Sequence, residues 1–185
     1  MEKKLILAGA LALAGLSSTA AAHEAGGYIR GEVGRSDVEL SVGGASDSDS
    51  DTSASFGGGY WFNPYFAIEG HLATLYTEDV GNDTDLDLVS IGVGLAAKKN
   101  FGEDGNGFFV GGRVGVARLT AQVRVDTFDV DDQEHATGAY AGASIGYDFS
   151  DRFGLSLNYD RRQADFDDNV DVDVDTLSLG GEFRF

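Results

Sequence analysis

The sequence predicts an all-β fold in which eight antiparallel strands run up and down and close into a transmembrane barrel. Three observations predict it. Apolar and polar residues alternate with a period of two in eight segments, the pattern of strands that offer one face to an apolar medium and the other to a polar one. The segments run about 10 residues, enough for a tilted strand to cross a bilayer. The connections between them alternate between long and short.

Composition narrows the setting. The 185 residues suit one domain, and a net charge of −18 makes nucleic acid an unsuitable partner. There are 27 Gly, one Pro and no Cys, which removes disulfides, thiolate metal sites and lipid attachment at an N-terminal cysteine. Residues 1–22 read as a cleavable export signal: Lys3 and Lys4 at the start, an apolar middle from Leu5 to Leu16, and small residues Thr19 to Ala22 at the cleavage site. The mature chain then begins near His23 with a charge of −19, and 23–185 forms the barrel domain.

Taken in order, Gly27 to Arg35 is the first strand, with Ile29, Gly31 and Val33 on one face and Tyr28, Arg30 and Glu32 on the other. Residues 37–52 read as a solvated loop of Ser, Gly and Asp. Ala54 to Phe62 and Phe66 to Leu72 make a hairpin through Asn63-Pro64-Tyr65. After an acidic loop at 77–87, Val89 to Ala97 forms the fourth strand, and Gly102 to Gly107 its turn. Phe108 to Val116 begins the fifth, but near Arg118 the apolar positions change parity to Leu119, Ala121 and Val123; a bulge, or a strand projecting past the membrane, accounts for such a change. A third acidic loop, 126–134, precedes Thr137 to Phe149, the turn Ser150-Asp151-Arg152, and Phe153 to Tyr159. In the fourth acidic stretch, 165–175, Val170, Val172 and Val174 alternate with Asp, the pattern of a hairpin extended above the membrane, but out of phase with Leu177 and Leu179, so a bulge or break is expected near Asp175 and Thr176.

Charge and rings separate to opposite ends. The four long connections hold 21 of the 31 acidic residues, whereas 13 of the 20 aromatics, among them Trp61, Tyr65, Phe101, Phe109 and Phe149, lie beside a short turn or the C-terminus. A girdle of rings at one rim is expected where hydrocarbon meets headgroup. Thr176 to Phe185 alternates cleanly and ends on an aromatic; an ordinary half-buried strand of a soluble sandwich would look the same locally.

The exported start, the eight strands, the Tyr60-Trp61-Phe62-Asn63-Pro64-Tyr65-Phe66 turn and the terminal strand resemble the small outer-membrane barrel superfamily, which includes the transmembrane domain of outer membrane protein A and outer membrane protein X. The resemblance implies the outer membrane of a Gram-negative bacterium, contact with its lipid and lipopolysaccharide, and a C-terminal signal at Ser178, Gly180, Phe183 and Phe185 read by the barrel-assembly machinery. The chain stops at its last strand, so the peptidoglycan-binding domain that follows some of these barrels is not expected. A monomer is.

With the apolar parity facing lipid, the opposite parity fills the lumen: Arg30, Glu32, Glu69, His71, Arg113, Asp148, Asn158, Asp160, Arg162, Glu182 and Arg184, with Lys98 near the short-turn end. Five cations face five anions. An eight-stranded barrel is just wide enough for side chains to fill it, and a lone buried ion costs on the order of 3 to 5 kcal/mol, so a plugged, salt-bridged lumen is expected. Lys98 and Arg184 suit either that network or a wet rim.

No cofactor, metal or catalytic set is assigned. Asp47, Asp49 and Asp51 begin like a calcium loop, but Thr52 and Gly58 stand where Gly and Glu are required; only weak divalent-cation binding to the acidic loops remains. His23, His71 and His135 have no metal-ligand spacing. Ser90 or Ser144 beside His71 is the one arrangement that would suit a lipid-modifying enzyme. Gly57-Gly58-Gly59 lies within a strand and permits curvature. The expected role is therefore structural or surface-interacting, with the barrel as anchor and four acidic loops outside. A small-solute channel is the alternative.

Overall fold

The computed structural model describes residues 25–42, 45–79, 84–102, 105–125, 132–166 and 170–185; residues 1–22, expected to act as an export signal, lie outside them. The described residues form β1 (Gly26–Val42), β2 (Ala45–Trp61), β3 (Phe66–Asp79), β4 (Thr84–Asn100), β5 (Gly107–Val125), β6 (Asp132–Asp148), β7 (Phe153–Phe166) and β8 (Val170–Arg184). Every strand pairs antiparallel with its neighbours in sequence, and β8 returns to β1 with Ile29 opposite Phe183 and Val33 opposite Leu179. Closure leaves no unpaired edge, which a sheet in hydrocarbon requires.

The turns at one end are short and built from local chemistry. Asn63 Oδ1 accepts from the backbone N–H of Tyr65 (2.8 Å) and Phe66 (2.9 Å). Asn100 Oδ1 accepts from Gly102 N–H at 2.7 Å, and Gly105 and Gly107 take φ of 79° and 126°, a region that side chains disfavour. Ser150 Oγ accepts from Phe153 N–H at 3.1 Å.

The opposite end differs from the expectation. Much of what reads as loop at 37–52 and 77–87 is strand: β1 reaches Val42, β2 starts at Ala45, β3 reaches Asp79 and β4 starts at Thr84; residues 132–134 already belong to β6, and 170–175, read as able to extend a hairpin, does so within β8. Of the two explanations for the change of parity near Arg118 the projecting strand holds and no bulge is present, and the bulge or break expected near Asp175 and Thr176 is absent. Ile91, Arg118 and Thr137 stand in continuous register, as do Asp37, Asp175 and Arg161. The strands project past the membrane and the surroundings of their two faces change. Near the short turns the outward residues are apolar, with Ile29, Val33, Leu72, Val93, Leu95 and Leu179 all exposed. Farther along, Val38, Leu88, Leu119, Val172 and Val174 are buried inside, while Asp37, Glu39 and Arg118 face out and Asp173 and Asp175 are partly exposed. Each polarity suits its solvent: apolar outside where the wall meets lipid, apolar inside where it meets water. A register shift does occur between Thr74 and Tyr76, where Leu75 turns into this outer apolar core.

The ring girdle at the short-turn end also needs a correction. Phe62, Phe66, Phe101, Phe108, Phe149, Phe153 and Phe185 face out, but Trp61 and Phe109 are buried within the barrel. Both stand on the inward parity, and Lys98 Nζ sits over them, 5.2 Å from the indole centroid and 4.7 Å from the phenyl centroid.

Candidate functional site: the charged barrel interior

Eight strands turn alternate side chains into a lumen too narrow for free water around each ion, so the charges there meet one another. At the centre, Arg113 of β5 donates through Nε to Asp160 Oδ1 of β7 at 2.5 Å and through Nη2 to Oδ2. Its Nη1 and Nη2 also reach Glu32 Oε1 and Oε2 of β1, each at 3.0 Å. Arg30 bridges Glu32 (3.1 Å) and Glu69 of β3 (2.9 Å). Tyr140 of β6 donates to Glu69 at 2.8 Å, Tyr28 donates at 3.4 Å, and Ser55 donates to Glu32 at 2.9 Å. Glycine makes the space, because a Cβ at Gly142 would overlap Asp160 Oδ1 and press on Arg113 Cγ.

A second cluster lies toward the short turns. Asp148 accepts from Arg184 Nη2 at 2.5 Å, Asn100 Nδ2 at 2.9 Å and Lys98 Nζ at 3.3 Å. Glu182 lies 3.4 Å from Lys98 Nζ and 3.5 Å from Arg184 Nε. Lys98 and Arg184, which suited a rim equally well, are buried here.

Two interior residues stand apart from these clusters. Arg162 is 3 % exposed and, among the described residues, has no carboxylate within ion-pair distance; its Nη1 donates to Thr176 Oγ1 at 3.4 Å, and its Nε has no protein partner. His71 lies edge-on to Tyr140 with ring centroids 4.9 Å apart, and neither ring nitrogen is hydrogen-bonded. Ser90 Oγ is likewise without a partner, so the hydroxyl–imidazole pairing weighed for a lipid-modifying enzyme is not formed. His135 is exposed on β6, with Thr120 Oγ1 3.0 Å from Nδ1, and His23 lies outside the described residues. Among the described residues no three His, Asp or Glu side chains converge on a metal position.

The terminal strand places Ser178, Gly180 and Arg184 inward and Phe183 and Phe185 outward. Tyr28 joins the interior network from the face it shares with Arg30 and Glu32, while Tyr140, Ser55 and Asn100 join it unforeseen, their inward parity being the one signal an uncharged side chain leaves in the sequence.

A closed eight-stranded barrel with an apolar wall and a charge-filled interior has counterparts. A family model described as outer membrane protein beta-barrel domain matches residues 8–185. The chain belongs to this outer-membrane barrel family. The outer-membrane barrel is similar to neisserial surface protein A of Neisseria at 20% identity and a TM-score of 0.64, covering 88% of this chain and 99% of that one. It is also similar to Ail, the attachment invasion locus protein of Yersinia pestis, in complex with the heparin analogue sucrose octasulfate, at 19% identity and a TM-score of 0.57, covering 86% and 99%. OprG of Pseudomonas aeruginosa is similar at 17% and 0.56, covering 90% and 99%. Comparison with curated protein sequences finds no match. The protein is an integral barrel of a Gram-negative outer membrane, and its exposed apolar belt is solvated by lipid.

Proposed function

We propose that this barrel is a non-conducting, non-enzymatic anchor that presents an acidic surface outside the cell. The reading rests on the occluded interior. Arg113, Glu32, Asp160, Arg30 and Glu69 cross-link β1, β3, β5 and β7 through the middle of the lumen, and an apolar core that includes Leu75, Leu119 and Val174 lies beyond them on the long-strand side. Cavities toward the short turns are small, about 40 Å³ beside Lys98 and Asn158 and about 100 Å³ beside Tyr65 and Asn100, room for a few waters each. Residues 1–22 act in this reading as the cleaved export signal. The chain works as a monomer, and Ser178, Gly180, Phe183 and Phe185 are read by the barrel-assembly machinery. Lipopolysaccharide surrounds the outer belt, with divalent cations weakly bridging its phosphates to acidic residues.

The sign of the surface bears on the ligand. Ail is seen with a sulfated sugar, whereas the outer walls here carry Asp37, Glu39, Asp173 and Asp175 on a chain of net charge −18. Repulsion of a polyanion follows, so the partner we propose is cationic or neutral. Planar-bilayer recording tests the occlusion: a silent membrane is expected, and steady single-channel steps would establish the small-solute channel instead.

A further inference from the structure

Beyond the lipid belt the wall parts along two lines. The β2–β3 ladder stops at Ala54 opposite Thr74 and the β6–β7 ladder at Gly138 opposite Ala164, while the other ladders run on toward the outer end. Among the described residues that end is therefore two four-stranded sheets, β7-β8-β1-β2 and β3-β4-β5-β6. The register shift between Thr74 and Tyr76 stands at the root of the first line: an extra residue bends its strand, and Leu75 enters the core where β3 leaves β2.

The longest one-sided stretch among the described residues is Ala45 to Ser53 of β2, which keeps its ladder with β1 and has none with β3. Ser50 N–H donates to Asp49 Oδ1 at 2.7 Å, and Thr52 N–H to Asp51 Oδ1 at 2.6 Å. Successive N–H groups of a strand point to alternate sides, so these two lie together on the side turned from β1, each held by the carboxylate before it. Such caps suit an edge in water, and they repel a second copy of this chain, whose Ser-Asp repeat brings the same charge. A cationic strand is different: its carbonyls take over the two donors, and its side chains give the displaced carboxylates a counter-charge. Arg35 already occupies the outward face, its Nε donating to Ser50 Oγ at 3.1 Å, so the incoming cations belong on the opposite face, beside Asp49 and Asp51.

We propose that Ala45 to Ser53 is an edge to which an extended polypeptide segment with Lys or Arg at alternate positions adds as a further strand. The proposal rests on the reading of the barrel as an acidic surface anchor and gives its partner a form. Main-chain hydrogen bonds supply the affinity, and Asp49 and Asp51 select the charge. Ser48, Asp49 and Thr52 are exposed, so the edge is open to solvent.

The probe is a fluorescent peptide of the same length alternating Thr and Lys, titrated by anisotropy onto the full barrel in zwitterionic nanodiscs at about 0.15 M salt. A fully N-methylated version keeps the charges and cannot join a ladder. Thr52→Pro removes one capped donor from the barrel and leaves the β1 side of the strand intact; a heat-dependent shift in gel mobility shows that the variant is folded. The parent peptide should bind, and affinity should fall roughly tenfold with the N-methylated peptide, with Thr52→Pro and with Asp49→Asn/Asp51→Asn. Equal binding of the two peptides would overturn the added strand and leave the acidic anchor standing. Unchanged affinity in a folded Thr52→Pro barrel or in the Asn variant, or no binding of the parent peptide, would overturn it too, whereas the anchor reading is decided separately by conductance.

Discussion

Arg113 and Asp160, 47 positions apart in sequence, are joined inside the barrel by two guanidinium nitrogens on two carboxylate oxygens. The same guanidinium holds Glu32, so one side chain ties β5 to both β7 and β1. Within a low-dielectric wall such a pair matters chiefly through the cost of breaking it, since a partner left alone keeps its desolvation penalty. Arg113→Met should therefore lower unfolding stability in detergent by about 3–5 kcal/mol. Adding Asp160→Asn should recover more than half of that loss, because Glu32 retains Arg30. Urea titrations followed by the emission of the single, buried Trp61 measure both; a double variant as unstable as the single one would refute the pairing argument.

Leu119 and its neighbour Arg118 probe the other end. Leu119 is 1 % exposed within the outer core, and Arg118 faces outward. If that end is packed as a soluble core, Leu119→Ala should cost about 2–5 kcal/mol, while Arg118→Ala should stay within about 0.5 kcal/mol. Equal, negligible effects would mean that the projecting strands carry no packing energy.

That contrast also marks where the sequence was legible. The interior ions were readable because Arg30 and Glu32, or Asp160 and Arg162, hold the parity opposite to an unbroken apolar face, and parity survives any uncertainty about depth. The outer end was misread for a related reason. Val172, Val174 and Leu119 kept the same parity as the interior ions, but the medium outside the wall had changed from lipid to water, so apolar residues moved to the inside without any slip in the backbone. A change of solvent and a bulge leave the same trace in a one-dimensional pattern. Trp61 and Phe109 show a complementary limit: aromatics cluster near the short turns, but only parity says which of them face lipid and which cover Lys98.

The belt itself can be tested by depth. Val93 is 58 % exposed, midway along the apolar outward run of β4 from Val89 to Ala97. Val93→Arg should cost about 2–4 kcal/mol in lipid vesicles, as expected for a cation near the midplane. Gln163→Arg, on the outward parity of β7 where Gln163 already bonds Asp173, should be nearly neutral. Folding efficiency into vesicles and the heat-dependent shift in gel mobility report both. A Val93→Arg variant that folds as well as the wild type would move the belt away from this position.

The last residue separates packing from assembly. Phe185 holds its place through the backbone, its N–H donating to Gly27 O at 2.9 Å, and its ring lies over Gly27 with 73 % of the residue exposed. Phe185→Ala removes the ring and keeps the hydrogen bond. Because so little of the ring is buried, refolding into detergent should be almost unchanged. If the ring belongs to the signal read during insertion, the amount of barrel reaching the outer membrane in cells should still fall severalfold. Quantifying outer-membrane protein and in-vitro folding yield for the same variant decides the matter, and equal losses in the two settings would make Phe185 a packing residue.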